Sequence, residues 1–247
     1  MTKRFENKVV VITGGSDGIG LETAKEFAAE GAHVYITGRR QEHLAAAVRE
    51  IGNGAVGVQG DVAIPADLDR LYARIQHDHG RVDVVFANAG IAETQPLETI
   101  DEAHFDRMFA VNVKGLLFTV QKALPLMGAG GAIVLNGSVA GSKGFAGQSL
   151  YNASKAAVRS FARTWTNDLK ERGIRVNVVA PGGTETPLMR GYLDARPGFE
   201  DMLNQLVPLG RLGRPDEVAK AVLFLASAES SFIAGSELFV DGGSLAV

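Results

Sequence analysis

Val9-Val10-Val11-Ile12-Thr13-Gly14-Gly15-Ser16-Asp17-Gly18-Ile19-Gly20 passes from a short apolar run rich in β-branched residues straight into a glycine-spaced turn. β-Branched side chains suit a pleated strand. Glycines at 14, 18 and 20 let the backbone turn tightly and approach a pyrophosphate, whose charge is held by the N–H groups at the start of a helix. Leu21, Ala24, Phe27 and Ala28 then make one apolar helical face, and Gly31 follows as a left-handed stop. The spacing is Gly-x-x-x-Gly-x-Gly rather than the commoner Gly-x-Gly-x-x-Gly, and an isolated glycine cluster is often only a tight turn. The strand before it and the helix after it favour a phosphate loop.

Outward from this unit the pattern repeats. Apolar runs occur at Val9 to Thr13, His33 to Thr37, Ala55 to Val58, Val82 to Ala87, Ala132 to Asn136, Arg175 to Ala180 and Glu237 to Asp241. Helical periods separate them at Gln41 to Ile51, Ala66 to His79, Glu102 to Leu124, Leu150 to Glu171 and Pro215 to Ala226. Such alternation predicts an α/β fold, a doubly wound and mostly parallel seven-stranded sheet with helices on both faces, Rossmann-like. No repeat or linker interrupts it, so residues 1–247 read as one domain. Thr186 to Leu209 carries Pro187, Pro197 and Pro208 with no clean period, and reads as a partly helical lid.

Composition narrows the function classes. A net charge of −3 and a pI near 6.0 give no long-range attraction to nucleic acid or an anionic membrane. Without cysteine there are no disulfides and no thiolate metal sites. The first apolar run ends at Thr13-Gly14, too short for a signal core or a membrane span, so a cytoplasmic location is expected.

Dinucleotide folds that take NAD place an acidic side chain at the end of the second strand, on the ribose 2′-hydroxyl. Here that end reads Tyr35-Ile36-Thr37-Gly38-Arg39-Arg40, with two guanidiniums and no carboxylate. Arginine grips a phosphate bidentately, which predicts NADP(H) over NAD(H). Asp17 sets an anion near the same pocket and opposes that preference. The plainer alternative makes Arg39 and Arg40 the solvated start of the next helix.

Tyr151 and Lys155 stand four apart in Ser149-Leu150-Tyr151-Asn152-Ala153-Ser154-Lys155, with Ser138 upstream, just after the run ending at Asn136. Four tyrosines and nine lysines produce Tyr-x-x-x-Lys by chance in roughly one such chain in seven, so context must carry it. On a helix these two side chains share a face, and a neighbouring cation favours the phenolate. Bringing a phenol from about 10 to roughly 7 takes about 4 kcal/mol, an amount expected from Lys155 together with a nicotinamide cation.

With the phosphate loop, Ser138, Tyr151 and Lys155 in order, the chain resembles the short-chain dehydrogenase/reductase family over nearly its whole length. The resemblance also rests on Asp61-Val62, Asn88-Ala89-Gly90, Val111-Asn112-Val113, Pro181-Gly182, Gly210-Arg211-Leu212-Gly213-Arg214-Pro215 and Val240-Asp241-Gly242-Gly243. It implies catalytic roles for Asn112, Ser138, Tyr151 and Lys155: Tyr151 as proton donor or base, Ser138 on the substrate oxygen, Lys155 on the nicotinamide ribose and the phenol, Asn112 holding a water. The implied cofactor contacts are Gly14, Ser16, Asp17, Gly18, Ile19, Gly20, Arg39, Arg40, Asp61, Val62, Asn88, Ala89, Gly90, Tyr151, Lys155, Pro181, Gly182, Thr184 and Thr186, with Asp61-Val62 by the adenine. A homotetramer is implied as well, its Glu102 to Leu124 and Leu150 to Glu171 helices pairing across a two-fold axis. Three positions depart from the family pattern: Ala87 for asparagine, Gly137 for serine, and Thr184 for an aliphatic residue.

The five histidines are scattered, and His77 and His79 point to different faces of a helix, so no metal site is expected and all five are assigned to the surface. Glu26, Glu30, Asp67 and Asp69 read as solvated helix faces. Phe161, Trp165 and Leu169 make a stripe suited to core or subunit packing. Glu93 to Gln95, Gly141 to Phe145, Gln148 and an apolar lid would line the substrate side, which favours a hydrophobic ketone or secondary alcohol. A 3-oxoacyl thioester is the nearest rival, and a sugar or steroid is also compatible. From a different class, an NADP-sensing regulator would have no reason to keep Ser138, Tyr151 and Lys155 together.

Overall fold

Every residue of strand β1 (Val9–Thr13) is buried, because a parallel strand covered by helices on both faces has no solvent side. Val9 and Val11 enter one core layer while Val10 and Ile12 enter the other. The computed structural model describes residues 3–247; Met1 and Thr2, the start of the expected domain, lie outside the described residues. Around β1 stand β2 (His33–Gly38), β3 (Val56–Gln59), β4 (Val82–Ala87), β5 (Met127–Asn136), β6 (Arg175–Pro181) and β7 (Glu237–Val240). They form one seven-stranded sheet in the order β3-β2-β1-β4-β5-β6-β7, with every pair parallel. The winding direction reverses between β1 and β4. Beyond their C-terminal ends lies the crevice where doubly wound sheets bind ligands.

One face is covered by α1 (Gly18–Ala29), α2 (Gln41–Ile51) and α9 (Pro215–Ala226), through Phe27, Leu44, Val222 and their neighbours. The other is covered by α3 (Pro65–Asp78), α5 (Leu116–Ala123) and α6 (Ser149–Asp168), through Leu71, Leu116, Val158 and others. The lid segment forms α7 (Pro187–Asp194) and α8 (Phe199–Leu206).

Two of the expected elements change. The single helix expected over Glu102 to Leu124 is α4 (Glu102–Phe109) and α5 joined by a π-helical turn over Ala110–Gly115. That wider turn carries Asn112, which is buried and clamps Ile91 by accepting from its N–H at 2.9 Å and donating to its carbonyl at 2.8 Å. Gly115 presses on Val62, where a Cβ would lie 2.8 Å from a valine methyl. Strand β5 begins at Met127 rather than Ala132, because Gly128, Gly130 and Gly131 extend it without the side chains that would mark a strand.

His104 is buried on α4, not on the surface, with Glu93 3.3 Å from its ring. The rings of His33 and His79 lie against each other, tilted by 33°, with centroids 4.5 Å apart. Asp67 is no solvated-face residue: it accepts from the Asp61 N–H at 2.8 Å and shapes the turn after β3. Among the described residues, no helix is long and apolar enough to cross a membrane and no cluster of His, Cys, Asp and Glu could hold a metal ion.

Candidate active site

The floor of the crevice is built from backbone. Gly14 and Gly18 adopt φ of 64° and 53°, which side-chain-bearing residues rarely adopt. A Cβ at Gly20 would stand 2.2 Å from the Gly14 carbonyl oxygen, so only glycine closes this loop. Asn88 ties the loop to β4 by donating to the Thr13 and Gly14 carbonyls at 2.9 and 3.0 Å. Thr13 Oγ1 in turn accepts from the N–H groups of Asn88 and Ala89. The turn after Ala87 is therefore held firmly without an asparagine at 87.

Above this floor opens a cleft of about 240 Å³. Of the expected cofactor residues, Gly14, Ser16, Asp17, Arg39, Arg40, Asp61, Val62, Ala89 and Gly90 line it. Thr37, Gly38, Gly60, Ile91 and Val111 also line it and are not among the expected contacts. Asp17 stands at the N-cap of α1 yet makes no capping bond, so the helix N–H groups that point into the loop keep their donors for an anion. Turn glycines that allow close approach, free helix donors and paired arginines by Gly38 fit a pyridine dinucleotide.

Deeper in, the second group of expected residues converges. A Cβ on Gly90 would lie 3.3 Å from Asn112 Oδ1 and 3.7 Å from Lys155 Nζ. Asn112 also donates to Ser154 Oγ at 3.1 Å, binding the π-helical turn to α6 one residue before Lys155. Lys155 is buried and donates to the Asn136 carbonyl at 2.8 Å, with its nitrogen 5.6 Å from the Tyr151 ring centroid. The Ser138 hydroxyl lies near enough to the Tyr151 phenol to favour its ionised form. Ser138 holds its position because its Oγ accepts from the Ala140 N–H and because Gly141 packs against the backbone of Lys155. Gly137, a departure from the family pattern, has a steric cause: a Cβ there would lie 2.5 Å from a Val178 methyl.

The electrostatics differ from the simple expectation. Burial pushes the Lys155 ammonium down to about 8 and pushes the Tyr151 phenol up, with the nearby Ser138 hydroxyl acting against that rise. Lys155 spends its bond on Asn136 rather than on the phenol, and a dry pocket penalises both charged forms. The chain by itself does not hold an acidic phenol.

Asn136 was not recognised from sequence as part of this centre. Besides receiving Lys155 on its carbonyl, it donates through its side chain to Asn88 Oδ1 at 2.9 Å, joining the lysine to the phosphate loop in one relay. The available signal was a polar residue ending an apolar strand just before Ser138. On the far wall Pro181 ends β6, and Gly182 packs so tightly on Asp241 that a Cβ would come within 2.8 Å. Thr184 is buried, satisfying its hydroxyl on the Gly182 carbonyl at 3.1 Å. Thr186 caps α7, accepting from the Met189 N–H, and its methyl lies against Gly18. The lid is thereby rooted on the phosphate loop, and its Tyr192 hydroxyl donates to the Ala92 carbonyl at 2.6 Å.

The order of these parts along one seven-stranded sheet is shared with known proteins. Residues 14–244 match a family model described as enoyl-(acyl carrier protein) reductase. A solved short chain dehydrogenase/reductase family protein superposes with a TM-score of 0.87 at 40% identity, covering 99% of this chain and 100% of that one. The chain belongs to the short-chain dehydrogenase/reductase family. Members of this family are oxidoreductases that use nicotinamide cofactors. The 3-oxoacyl-[acyl-carrier-protein] reductase FabG of Thermotoga maritima is 39% identical over 97% of this chain and 98% of its own length. The NADP-dependent (R)-specific alcohol dehydrogenase of Lentilactobacillus kefiri is 37% identical over 98% of each chain.

Proposed function

We propose that this short-chain dehydrogenase/reductase interconverts hydrophobic secondary alcohols and ketones with NADP(H), using Tyr151 as the proton donor and acceptor. The observation that carries this is the Tyr151 phenol near the Ser138 hydroxyl and the buried Lys155, whose nitrogen lies by Gly90 on the wall of the cleft. When bound, the nicotinamide supplies or accepts the hydride. In the reducing direction Tyr151 gives its proton to the carbonyl oxygen, and Ser138 donates a hydrogen bond to that oxygen as charge builds on it. Lys155 holds a positive charge beneath the phenol and offers its remaining donors to ribose hydroxyls. Asn112 keeps the Gly90–Ile91 backbone in place beside that lysine.

Support for the apolar substrate comes from the lid, whose Leu188, Met202, Leu206 and Leu209 are exposed, and from the exposed Phe145. Arg39 and Arg40 at the cleft edge support NADP(H), as does the cofactor named for the Lentilactobacillus relative. The rival substrate, a 3-oxoacyl thioester, is favoured by the name of the Thermotoga relative. A homotetramer that pairs the Glu102 to Leu124 and Leu150 to Glu171 segments is favoured by the exposed Phe105 on the first of them. Light scattering at the tetramer mass is the expected result.

Turnover of a panel of aryl ketones against acetoacetyl thioesters, with NADPH and with NADH, tests the reading. Activity confined to thioesters overturns the substrate, and a preference for NADH that is unchanged in Gly38→Asp overturns the cofactor. Tyr151→Phe is expected to lower kcat about 1000-fold with nucleotide affinity nearly intact. Full activity in that variant removes the phenol from the chemistry.

A further inference from the structure

We propose that Asp17 competes with the cofactor's 2′-phosphate for the Arg40 guanidinium and thereby limits how strongly the protein selects NADP(H) over NAD(H). The inference rests on the NADP(H) reading above and concerns how that same pocket is regulated.

Asp17 occupies the N-cap of α1 with extended backbone, where an aspartate ordinarily accepts from the N–H groups one turn into its helix. Here it accepts from none of them. Its carboxylate turns across the cleft instead, and Oδ2 meets an Arg40 terminal nitrogen at 3.0 Å in a one-point contact. Arg40 is 61% and Asp17 47% exposed in their side chains, so the pair is solvated and exchangeable rather than a fixed strut. Neighbouring Arg39 makes no side-chain hydrogen bond or ion pair among the described residues; its carbonyl accepts from Gln59. Both arginines, Gly38 and Asp17 line one cleft.

One of the two cations at the ribose end is thus already neutralised by an anion that the phosphate loop brings with it. A 2′-phosphate carries about −1.5 to −2 charge and presents several acceptors to the guanidinium fork. To take Arg40 it must displace a carboxylate, which is then left unpaired beside the new anion. NAD(H) has no such phosphate, so its binding leaves the Asp17–Arg40 pair in place. Asp17 therefore subtracts from NADP(H) affinity specifically, while the arginines add to it.

The test is a double-mutant cycle of Asp17→Asn and Arg40→Ala. NADPH and NADH are titrated by nucleotide fluorescence, 2′,5′-ADP and 5′-AMP by calorimetry, with melting curves confirming that each exposed-site variant is folded. Asp17→Asn is expected to tighten NADPH and 2′,5′-ADP about 2- to 5-fold, to leave NADH and 5′-AMP unchanged, and to lose that gain when Arg40 is alanine. Unchanged or weaker NADPH binding overturns the proposal. So does equal tightening of NADH, or a gain that persists without Arg40. Should the wild-type protein bind 2′,5′-ADP no better than 5′-AMP, the NADP(H) reading falls. Competition then still requires Asp17→Asn to create a preference for 2′,5′-ADP, and its absence overturns competition as well.

Discussion

The floor of the cleft and the lid over it are built on opposite terms. On the floor, Gly14 to Gly20 and Asn88 to Gly90 are held by backbone geometry and part-buried hydrogen bonds, with clearances at Gly15 and Gly20 that exclude even a methyl group. The lid, from α7 to α8, touches the body at a few points: Thr186 on Gly18, Tyr192 on Ala92, and the buried Leu193 and Val207. Its outer apolar residues remain in solvent. Backbone-built surfaces accept one ligand shape and tolerate little substitution, whereas side-chain-built surfaces are retuned by exchanging one residue. On the proposed function, cofactor binding is written into the floor, and substrate choice into the lid.

The comparison breaks first at Gly20. Gly20→Ala puts a Cβ against the Gly14 carbonyl, and an overlap of that size in a tied loop is expected to cost about 3 kcal/mol and abolish nucleotide binding. Calorimetry with NADPH and thermal melts check both. Normal binding by the alanine variant would mean that the floor deforms as readily as the lid.

Lys155 sharpens the contrast through pH. Its folded value lies near 8, below the ordinary lysine value of 10.5. Below pH 8 both states are protonated, and the folded protein bears the full cost of a buried ammonium. Between pH 8 and 10.5 the unfolded chain binds the extra proton, so this cost is relieved as pH rises. It amounts to something on the order of 3 kcal/mol. The melting temperature of Lys155→Met relative to wild type is therefore expected to fall across that window as the wild type gains. A flat difference would place the ammonium in a wetter setting than its burial implies.

The smallest effect on stability belongs to the lid. Met202→Ser with Leu206→Ser should change unfolding free energy by no more than about 0.5 kcal/mol, since both side chains are exposed. KM for an apolar ketone is expected to rise several-fold with NADPH affinity unchanged. Unaltered ketone kinetics would remove the lid from substrate recognition.

Much of the fold was legible because its signals are local. Buried parallel strands appear as apolar runs, and the bounds of β1, β4, α2 and α9 agree with the sequence pattern to the residue. The π-helical turn around Asn112 was invisible, because its apolar and polar positions also fit an unbroken helix and only the contacts of Asn112 and Gly115 select the wider turn. His104 and Asp67 were misplaced for a similar reason. A histidine or aspartate looks solvated along a chain, and only its neighbours in space reveal burial or a backbone bond.

The sequence by itself determined the doubly wound sheet, the glycine loop and the pairing of Tyr151 with Lys155 on one helix, since periodicity and spacing are properties of neighbours along the chain. Tertiary structure alone decided that Lys155 bonds Asn136, that Asn136 reaches Asn88, and that Asp17 leaves its helix for Arg40. Each of these contacts joins separate elements of the chain. Burial and directional hydrogen bonding, which set the charge balance of the centre, exist only once those segments meet.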